Sequence, residues 1–584
     1  MSLSPLANFF AVYGTDPAWL RDQQAAWSKR KEFSEVWAPA PGWIVGWAPL
    51  PNSDPEPEAI RKNAFVFAEG SRAITASAQE RTEIFFETLA ETVDQKPERL
   101  AEYPGDFTFL KFRSDGFVTA VRACAGLAPL YYHRADKRIA IGTRLGFFVR
   151  YLGLNRLDPL VNGIWSSGDC FFPDGRTLLL QVSCLARGSL IEFGARDRSQ
   201  PIAYWFPRLD SLPKPSPAIE LDHARTLREL LLSKLDRDLQ AEGGNLLTMS
   251  GGVDSASVAA LARGVLNRPI MTWSLLPEPA DLYETEMSFI QPLRDQYGFE
   301  RIWEARATAE YRMASSANLP GAVFPILHPA LLALPKILEE AEIQVLVGGE
   351  FADEICGSRF TLDDWAAMAS LVRLCRQVVK RKASVRDLLR LAKQKLIRRV
   401  QPRRIPFVDS LPDFIAPGIC AEYQAWRQQK VSTATQDCRP KYYFALRYEA
   451  AEFTTMNWEA LSSLGIHRAL PFFNREVIEL AFKCHPEELV VPGTKKLLRR
   501  ALHNDVPGRN LYRSTKGGWG RHVKPGQCSW RKELPDLLTG VVRQDWISRP
   551  PDVLPYSLAG PLSHLAVFAD SVQRASSKGA PLSL

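Results

Sequence analysis

Asn245-Leu246-Leu247-Thr248-Met249-Ser250-Gly251-Gly252-Val253-Asp254-Ser255 is the stretch on which the reading of this chain turns. Its first five residues, apolar at Leu246, Leu247 and Met249, form a candidate buried strand. Ser250-Gly251-Gly252 supply a small-residue turn, and Ala256–Leu261 have the pattern of a helix. Strand, turn and helix in that order set backbone N–H groups at a helix start, where an anion is stabilised. The two glycines let the main chain approach that anion closely. Ser250 and Ser255 add hydroxyl donors for a phosphate pair. Asp254 stands where a carboxylate can hold the Mg²⁺ that screens those phosphates. No G-x-x-x-x-G-K-[ST] occurs, so this is not a Walker A loop.

Downstream of this stretch strands and helices alternate, which predicts a parallel α/β sheet. Upstream, Ile219–Leu239 has helical spacing of Leu221, Ala224, Leu227, Leu231 and Leu235. Before it lie Pro207, Pro213, Pro215 and Pro217, which interrupt helix and central strand alike and place a linker at 206–218. The first 205 residues read as β-rich. Phe9–Tyr13, Trp43–Trp47 and Ala64–Ala68 are short apolar runs, and Gly105–Phe112 with Val118–Val121 around Ser114-Asp115-Gly116 predicts a hairpin. Helical segments such as Glu83–Val93 sit between them. Ser370–Arg404 carries thirteen Lys/Arg residues and one acid, Asp387, with apolar residues at helical spacing. It predicts a basic helical insert at about 360–440 within a synthetase domain of 219–545, followed by a tail at 546–584. The insert reads either as a solvated face packed on the body or as a contact for a peptide or partner.

The loop 250–255 resembles that of the PP-loop ATP pyrophosphatases, which cleave ATP between the α and β phosphates. Three later blocks narrow the resemblance to asparagine synthetases. Val345-Leu346-Val347 leads into Gly348-Gly349-Glu350-Phe351-Ala352-Asp353-Glu354, similar to their Ser-Gly-Glu-Gly-Ser-Asp-Glu segment. Pro471-Phe472-Phe473-Asn474 resembles their Pro-Phe-x-Asp segment. Thr494-Lys495-Lys496-Leu497-Leu498-Arg499 resembles their Thr-Lys-x-x-Leu-Arg helix and leads to Arg513-Ser514-Thr515-Lys516-Gly517-Gly518, in the place of their Arg-x-x-Lys-x-Gly loop. The resemblance implies roles. Asp254 and Asp353 bind Mg²⁺. Met249, Ser274, Gly348 and Gly349 contact the nucleoside, and Ser250, Gly251, Gly252 and Ser255 the phosphates. Lys516 stabilises the pentavalent phosphorus and departing pyrophosphate, and Glu350 orients or deprotonates the attacking amine. The chemistry agrees, because adenylation builds negative charge at phosphorus and the amine must lose a proton. Lys495 and Lys496 read as structural or as general phosphate neighbours.

Gly105-Asp106-Phe107 and Gly126-Leu127-Ala128-Pro129-Leu130-Tyr131-Tyr132 resemble segments of the glutaminase domain of asparagine synthetases. Those glutaminases use a Cys directly after the initiator Met. Here Ser2 holds that place and the first cysteine is Cys124; Ala68-Glu69-Gly70 stands where Asn-Gly-Glu is expected. The expected architecture is therefore a degenerate Ntn-hydrolase-like (glutaminase-like) α+β domain at 1–205. An α/β PP-loop, adenine nucleotide α-hydrolase-like synthetase domain with helical insertions follows it. Inactive glutaminase domains occur in β-lactam and carbapenam synthetases and in lasso-peptide cyclases. The lactam enzymes carry Tyr at the Glu350 position, and a long basic insert suits a peptide. The resemblance thus implies a macrocyclase that adenylates an Asp or Glu side chain of a leader-cleaved peptide and closes the ring with its N-terminal amine. ATP and Mg²⁺ would serve as cofactors, with a leader peptidase and a leader-binding protein as companions. An ammonia-dependent asparagine synthetase-like enzyme, a small-molecule lactam synthetase, a tRNA-modifying PP-loop enzyme and a non-catalytic scaffold remain as alternatives.

Bulk properties bound these readings. The chain has 584 residues, too many for one core, so two or three domains are expected. With 46% apolar and 24% charged residues it is of ordinary globular composition. No apolar run is long enough to span a membrane, and the N-terminus lacks a secretory pattern. The nine cysteines form no C-x-x-C pair, which argues against structural zinc and a disulfide framework and for a cytoplasmic protein. A net charge of +8 suits an anionic ligand without requiring nucleic acid.

Overall fold

The computed structural model describes residues 7–30, 33–49, 65–69, 88–103, 107–135, 138–166, 172–194, 200–207, 216–277, 280–306, 329–356, 411, 413–432, 458–459, 461–462, 464–485, 488–489 and 495–513. Strand alternation builds the N-terminal half. One antiparallel sheet has the order Glu35–Trp37, Trp43–Pro49, Ala7–Gly14, Arg138–Gly142, Tyr131–Ala135, Ser183–Cys184. The second runs Ile202–Ala203, Ser189–Phe193, Val118–Arg122, Thr108–Phe112, Phe65–Glu69. Phe9 and Ala11 face inward to share a core with Leu110, Phe112 and Ala120 of the other sheet. Their neighbours Phe10 and Val12 point the other way, onto the helices Leu145–Leu152 and Pro159–Ser166. Phe109 and Val121 likewise face Leu89 and Val93 of a helix at 88–95. A period of two in apolar residues thus yields four layers, helix, sheet, sheet, helix. The expected hairpin is present, with Thr108 opposite Arg122 and Phe112 opposite Val118.

The expected linker ends earlier than its prolines suggest. Ser216 is an N-cap whose Oγ accepts from Ile219 N (3.3 Å), and Pro217 is the first residue of the helix Pro217–Asp238. Proline is tolerated there because the first-turn N–H has no helical partner. Ala224, Leu227, Leu231 and Leu235 are buried as expected, but Leu221 is exposed.

The C-terminal half carries a five-stranded parallel sheet in the order Ile302–Arg306, Met271–Leu276, Asn245–Thr248, Val345–Val347, His467–Ala469. Its strands are apolar on both faces: Leu246 and Leu346 enter one core, Leu247, Val345 and Val347 another. That double burial explains their unbroken hydrophobicity. The order reverses between Asn245–Thr248 and Val345–Val347. The loops leaving the carboxyl ends of these two strands diverge there, which opens a crevice. Both glycine-rich motifs fall on those loops.

The basic stretch 370–404, the tail 546–584 and Lys516 lie outside the described residues. One element of the insert is described, the helix Pro417–Ser432. It packs on the N-terminal half: Phe414, Ile415, Tyr423 and Trp426 join the core that holds Phe10 and Trp165. Arg176 pairs with Glu422 (2.6 Å), and Trp426 Nε1 donates to Asp174 Oδ2 (3.0 Å). Between the halves, Tyr131 donates to buried Glu459 (3.3 Å) and Trp205 Nε1 to Glu479 (2.8 Å). Among the described residues no helix is long and apolar enough to cross a membrane.

Candidate active site

Ser250–Ser255 fold back on themselves after the central strand. Ser255 Oγ donates to the Ser250 carbonyl (2.7 Å), while Ser250 N donates to Ser255 Oγ (3.0 Å). Gly252 N donates to Ser250 Oγ (3.3 Å). The helix Val253–Ala259 then starts at Gly252 without a side-chain cap, so its first-turn N–H groups lack helical acceptors. Gly251 has no room for a side chain: a Cβ there would lie 2.3 Å from Phe289 Cβ and 2.7 Å from Arg513 Nη1.

The second loop lies directly on the first. A Cβ at Gly349 would stand 2.7 Å from Asp254 Cβ and from the Asp254 main-chain carbon. Phe351, next but one, is left-handed at φ 68°, a costly conformation for a bulky residue. Its ring packs on Phe473 at 4.5 Å between centroids. This turn separates Glu350 from Asp353, which lies in the first turn of the short helix Ala352–Ile355 on the side of the first loop.

The Asp254 and Asp353 carboxylates converge on Lys495, which the sequence reading had as structural or as a general phosphate neighbour. The Lys495 ammonium pairs with both oxygens of Asp254 and lies 2.6 Å from Asp353 Oδ1. Lys495 is itself left-handed, at φ 59°, and its side chain is only 4% exposed. Burial disfavours its charge, yet the two carboxylates outweigh burial and hold its pKa above the ordinary lysine value. The pair therefore encloses a cation-sized position, and its carboxylate oxygens are the donors that Mg²⁺ prefers. Arg499 adds a second, partly buried cation nearby, its pKa lowered by burial against the opposing pull of Tyr512 and Asp254.

Glu350 is also committed. Arg468, on the strand His467–Ala469, pairs with its carboxylate and donates to the Leu346 carbonyl (3.2 Å). Burial lowers the Arg468 pKa, and Glu350 opposes that shift. Arg468 lay in no motif, and the motif that holds Lys495 did not point to these acids, because the partners of both lie on other strands and loops.

Met249 directly follows the strand Asn245–Thr248, which pairs with the strand that holds Ser274. Met249 N donates to the Trp273 carbonyl (2.8 Å), which sets Met249 beside the Met271–Leu276 strand. Ser274 is fully buried, and its hydroxyl has no hydrogen-bond partner among the described residues. An orphaned hydroxyl of this kind fits a ligand that completes the bond. Two further residues brace the loop: Asn510, which lay in no motif, and Arg513, which the resemblance named without a role. Asn510 Nδ2 donates to the Gly251 carbonyl (3.2 Å) and the Phe289 carbonyl (2.8 Å). Arg513 forms a two-pronged pair with Glu286 (3.0 Å for Nη1 to Oε2) and stacks 4.2 Å from the Phe289 ring. Arg513 thereby anchors, against the phosphate loop, the start of the segment in which Lys516 follows three residues later.

The family described as asparagine synthase matches residues 226–559. Among curated proteins none matches the sequence. One similar solved structure is an NMN synthetase from Francisella tularensis, 18% identical with a TM-score of 0.18, the match covering 25% of this chain and 60% of that one. Another is an NH3-dependent NAD synthetase from Campylobacter jejuni, 16% identical with a TM-score of 0.19, covering 36% of this chain and 95% of that one. At such TM-scores neither bears on the site.

Proposed function

The chain belongs to the asparagine synthase family of ATP-dependent, AMP-forming carbon–nitrogen ligases, and from that premise we propose that it is a peptide macrolactam cyclase of the lasso type. It would adenylate an Asp or Glu side chain of a leader-cleaved peptide, then close the ring with the peptide's N-terminal amine and release AMP and pyrophosphate. The observation that carries the reading is the convergence of Asp254, Asp353 and Lys495 beside the phosphate loop, with Glu350 on the other side of the same turn.

In this reading Asp254 and Asp353 would hold Mg²⁺, which supplies charge neutralisation to the triphosphate. The loop 250–255 grips the phosphates through main-chain N–H groups and the Ser250 hydroxyl. Lys495 balances the acid pair before ATP arrives, and Arg499 with Lys516 offsets the charge that grows on pyrophosphate. Glu350, ionised against Arg468, orients the amine and accepts its proton. Two observations support a nucleophile carried by the substrate rather than ammonia made in the N-terminal half. Cys124 and Cys184, the described cysteines of that half, are both buried. The described helix of the insert, Pro417–Ser432, docks on the helical layer of that half. We read 1–205 as a glutaminase-like domain without its activity, whose four layers support the assignment, and the free thiols of the described cysteines as cytoplasmic.

The test is pyrophosphate release by the purified protein with ATP and Mg²⁺, with Lys516→Ala as control. Peptide-dependent release, with the peptide mass falling by one water, is expected. Turnover with aspartate and ammonia alone would overturn the proposal and leave an ammonia-dependent asparagine synthetase.

A further inference from the structure

Away from the phosphate crevice, three chemically mixed donors meet at a junction of helices. His223 lies on Pro217–Asp238, Cys484 closes the helix Arg475–Lys483, and Glu488 follows four residues later. Their donor atoms lie within 4.8 Å of one another, with Cys484 and Glu488 buried and His223 partly exposed. His223 Nδ1 is 3.5 Å from Cys484 Sγ and 2.6 Å from Glu488 Oε2. The other carboxylate oxygen, Oε1, accepts from His485 N (2.8 Å), which fixes the plane of the carboxyl group.

We propose that His223, Cys484 and Glu488 form a zinc site. At a tetrahedral zinc ion with Zn–S of about 2.3 Å and Zn–N of about 2.0–2.1 Å, sulfur and nitrogen stand about 3.5 Å apart. The Cys484–His223 separation already has that value. The His223–Glu488 contact is a hydrogen bond and opens by about 0.7 Å to reach the nitrogen–oxygen separation of such a site. Both cysteine and glutamate contact the same ring nitrogen, so the cluster is not a relay of acid, base and nucleophile, which needs both imidazole nitrogens. On binding, the Cys484 S–H bond breaks, its proton passes to solvent, and the imidazole proton shifts to Nε2. One thiolate, one carboxylate and one neutral imidazole around a dication sum to zero charge, which suits a buried location. The partial exposure of His223 admits a water as fourth ligand.

The site would tie the first helix of the synthetase half to its C-terminal elements. The same helix is pinned nearby by Glu220 to Lys496 (2.7 Å) and Arg500 (2.7 Å), and by Arg228 to Asp505 (2.7 Å). The helix Arg475–Lys483, which Cys484 closes, packs against the short helix Ala352–Ile355 that carries Asp353.

The experiment is metal analysis of the full-length protein expressed with zinc and dialysed, beside Cys484→Ser, His223→Gln and Asp254→Asn. About one zinc per chain is expected in the parent and in Asp254→Asn, with retention at least about tenfold lower in the other two. Addition of Co²⁺ to the metal-free parent should give a thiolate charge-transfer band that Cys484→Ser lacks. A parent without stoichiometric zinc and without that band overturns the proposal. So does zinc that survives both ligand substitutions or leaves with Asp254→Asn. None of these readouts depends on peptide cyclisation.

Discussion

Replacing Lys495 with methionine removes an ammonium that pairs with both Asp254 and Asp353, while its apolar bulk is kept. The lysine side chain is 4% exposed, but the acids are 23% and 29% exposed, so water partly solvates the charges left behind. Breaking a fully buried pair costs about 3–5 kcal/mol and an exposed one about 0–1 kcal/mol, so about 2–4 kcal/mol is expected here. With the steep denaturant dependence of a domain this size, that is a fall of about 1 M in the urea midpoint. The assay is urea unfolding in EDTA, followed by tryptophan fluorescence. Mg²⁺ should then raise the midpoint of the variant more than that of the parent, because a cation binding the bared acids stabilises the folded state by mass action. Adding Asp353→Asn to Lys495→Met should recover part of the loss, with a coupling of about 1–3 kcal/mol. Equal midpoints for parent and variant in EDTA, or no recovery in the double variant, would refute the idea that Lys495 balances this acid pair.

Gly349→Ala would drive a methyl group into the Asp254 main chain at 2.7 Å, parting the two loops at a cost of about 1–3 kcal/mol. Calorimetry with a non-hydrolysable ATP analogue should register weaker binding, and unchanged affinity would mean the loops need not touch. Glu350→Gln should preserve ATP–pyrophosphate exchange while amide formation falls by about 10²–10⁴, as expected for loss of a positioned base; equal loss of both reactions would assign Glu350 to adenylation instead. The pH dependence follows from Lys495, whose pKa stands above its ordinary value of 10.5 in the folded protein. A group raised on folding stabilises fully below its unfolded value and loses that contribution as pH rises through the folded value. The parent's urea midpoint should therefore decline above about pH 10.4 by more than that of Lys495→Met. Parallel declines would remove Lys495 from the account.

Much of the site was legible because its chemistry is local in sequence. Ser250, Gly251, Gly252, Asp254 and Ser255 fall on one strand–turn–helix unit, and Gly348–Asp353 on another, so the local pattern located the first loop and the family resemblance the second. Asn474 caps its helix by accepting from Glu476 N (3.2 Å), a task that asparagine and aspartate share, so its departure from the family residue is without structural consequence. Pro217 was misjudged as linker because proline interrupts a helix everywhere except its first turn. Leu221 was misplaced because periodicity gives the spacing of a stripe, not the angle at which the stripe meets the core.

What the sequence determined by itself is the identity of the strands, the two glycine-rich loops and the acids on them, since each depends on residues a few positions apart. What the tertiary structure alone decided is which cation meets which acid. Lys495 reaches Asp254 across 241 positions, and Arg468 reaches Glu350 across 118. Those pairings follow from the order of strands in the parallel sheet, which sets distant segments side by side. No local pattern encodes that order, because it arises from burying both faces of the sheet at once.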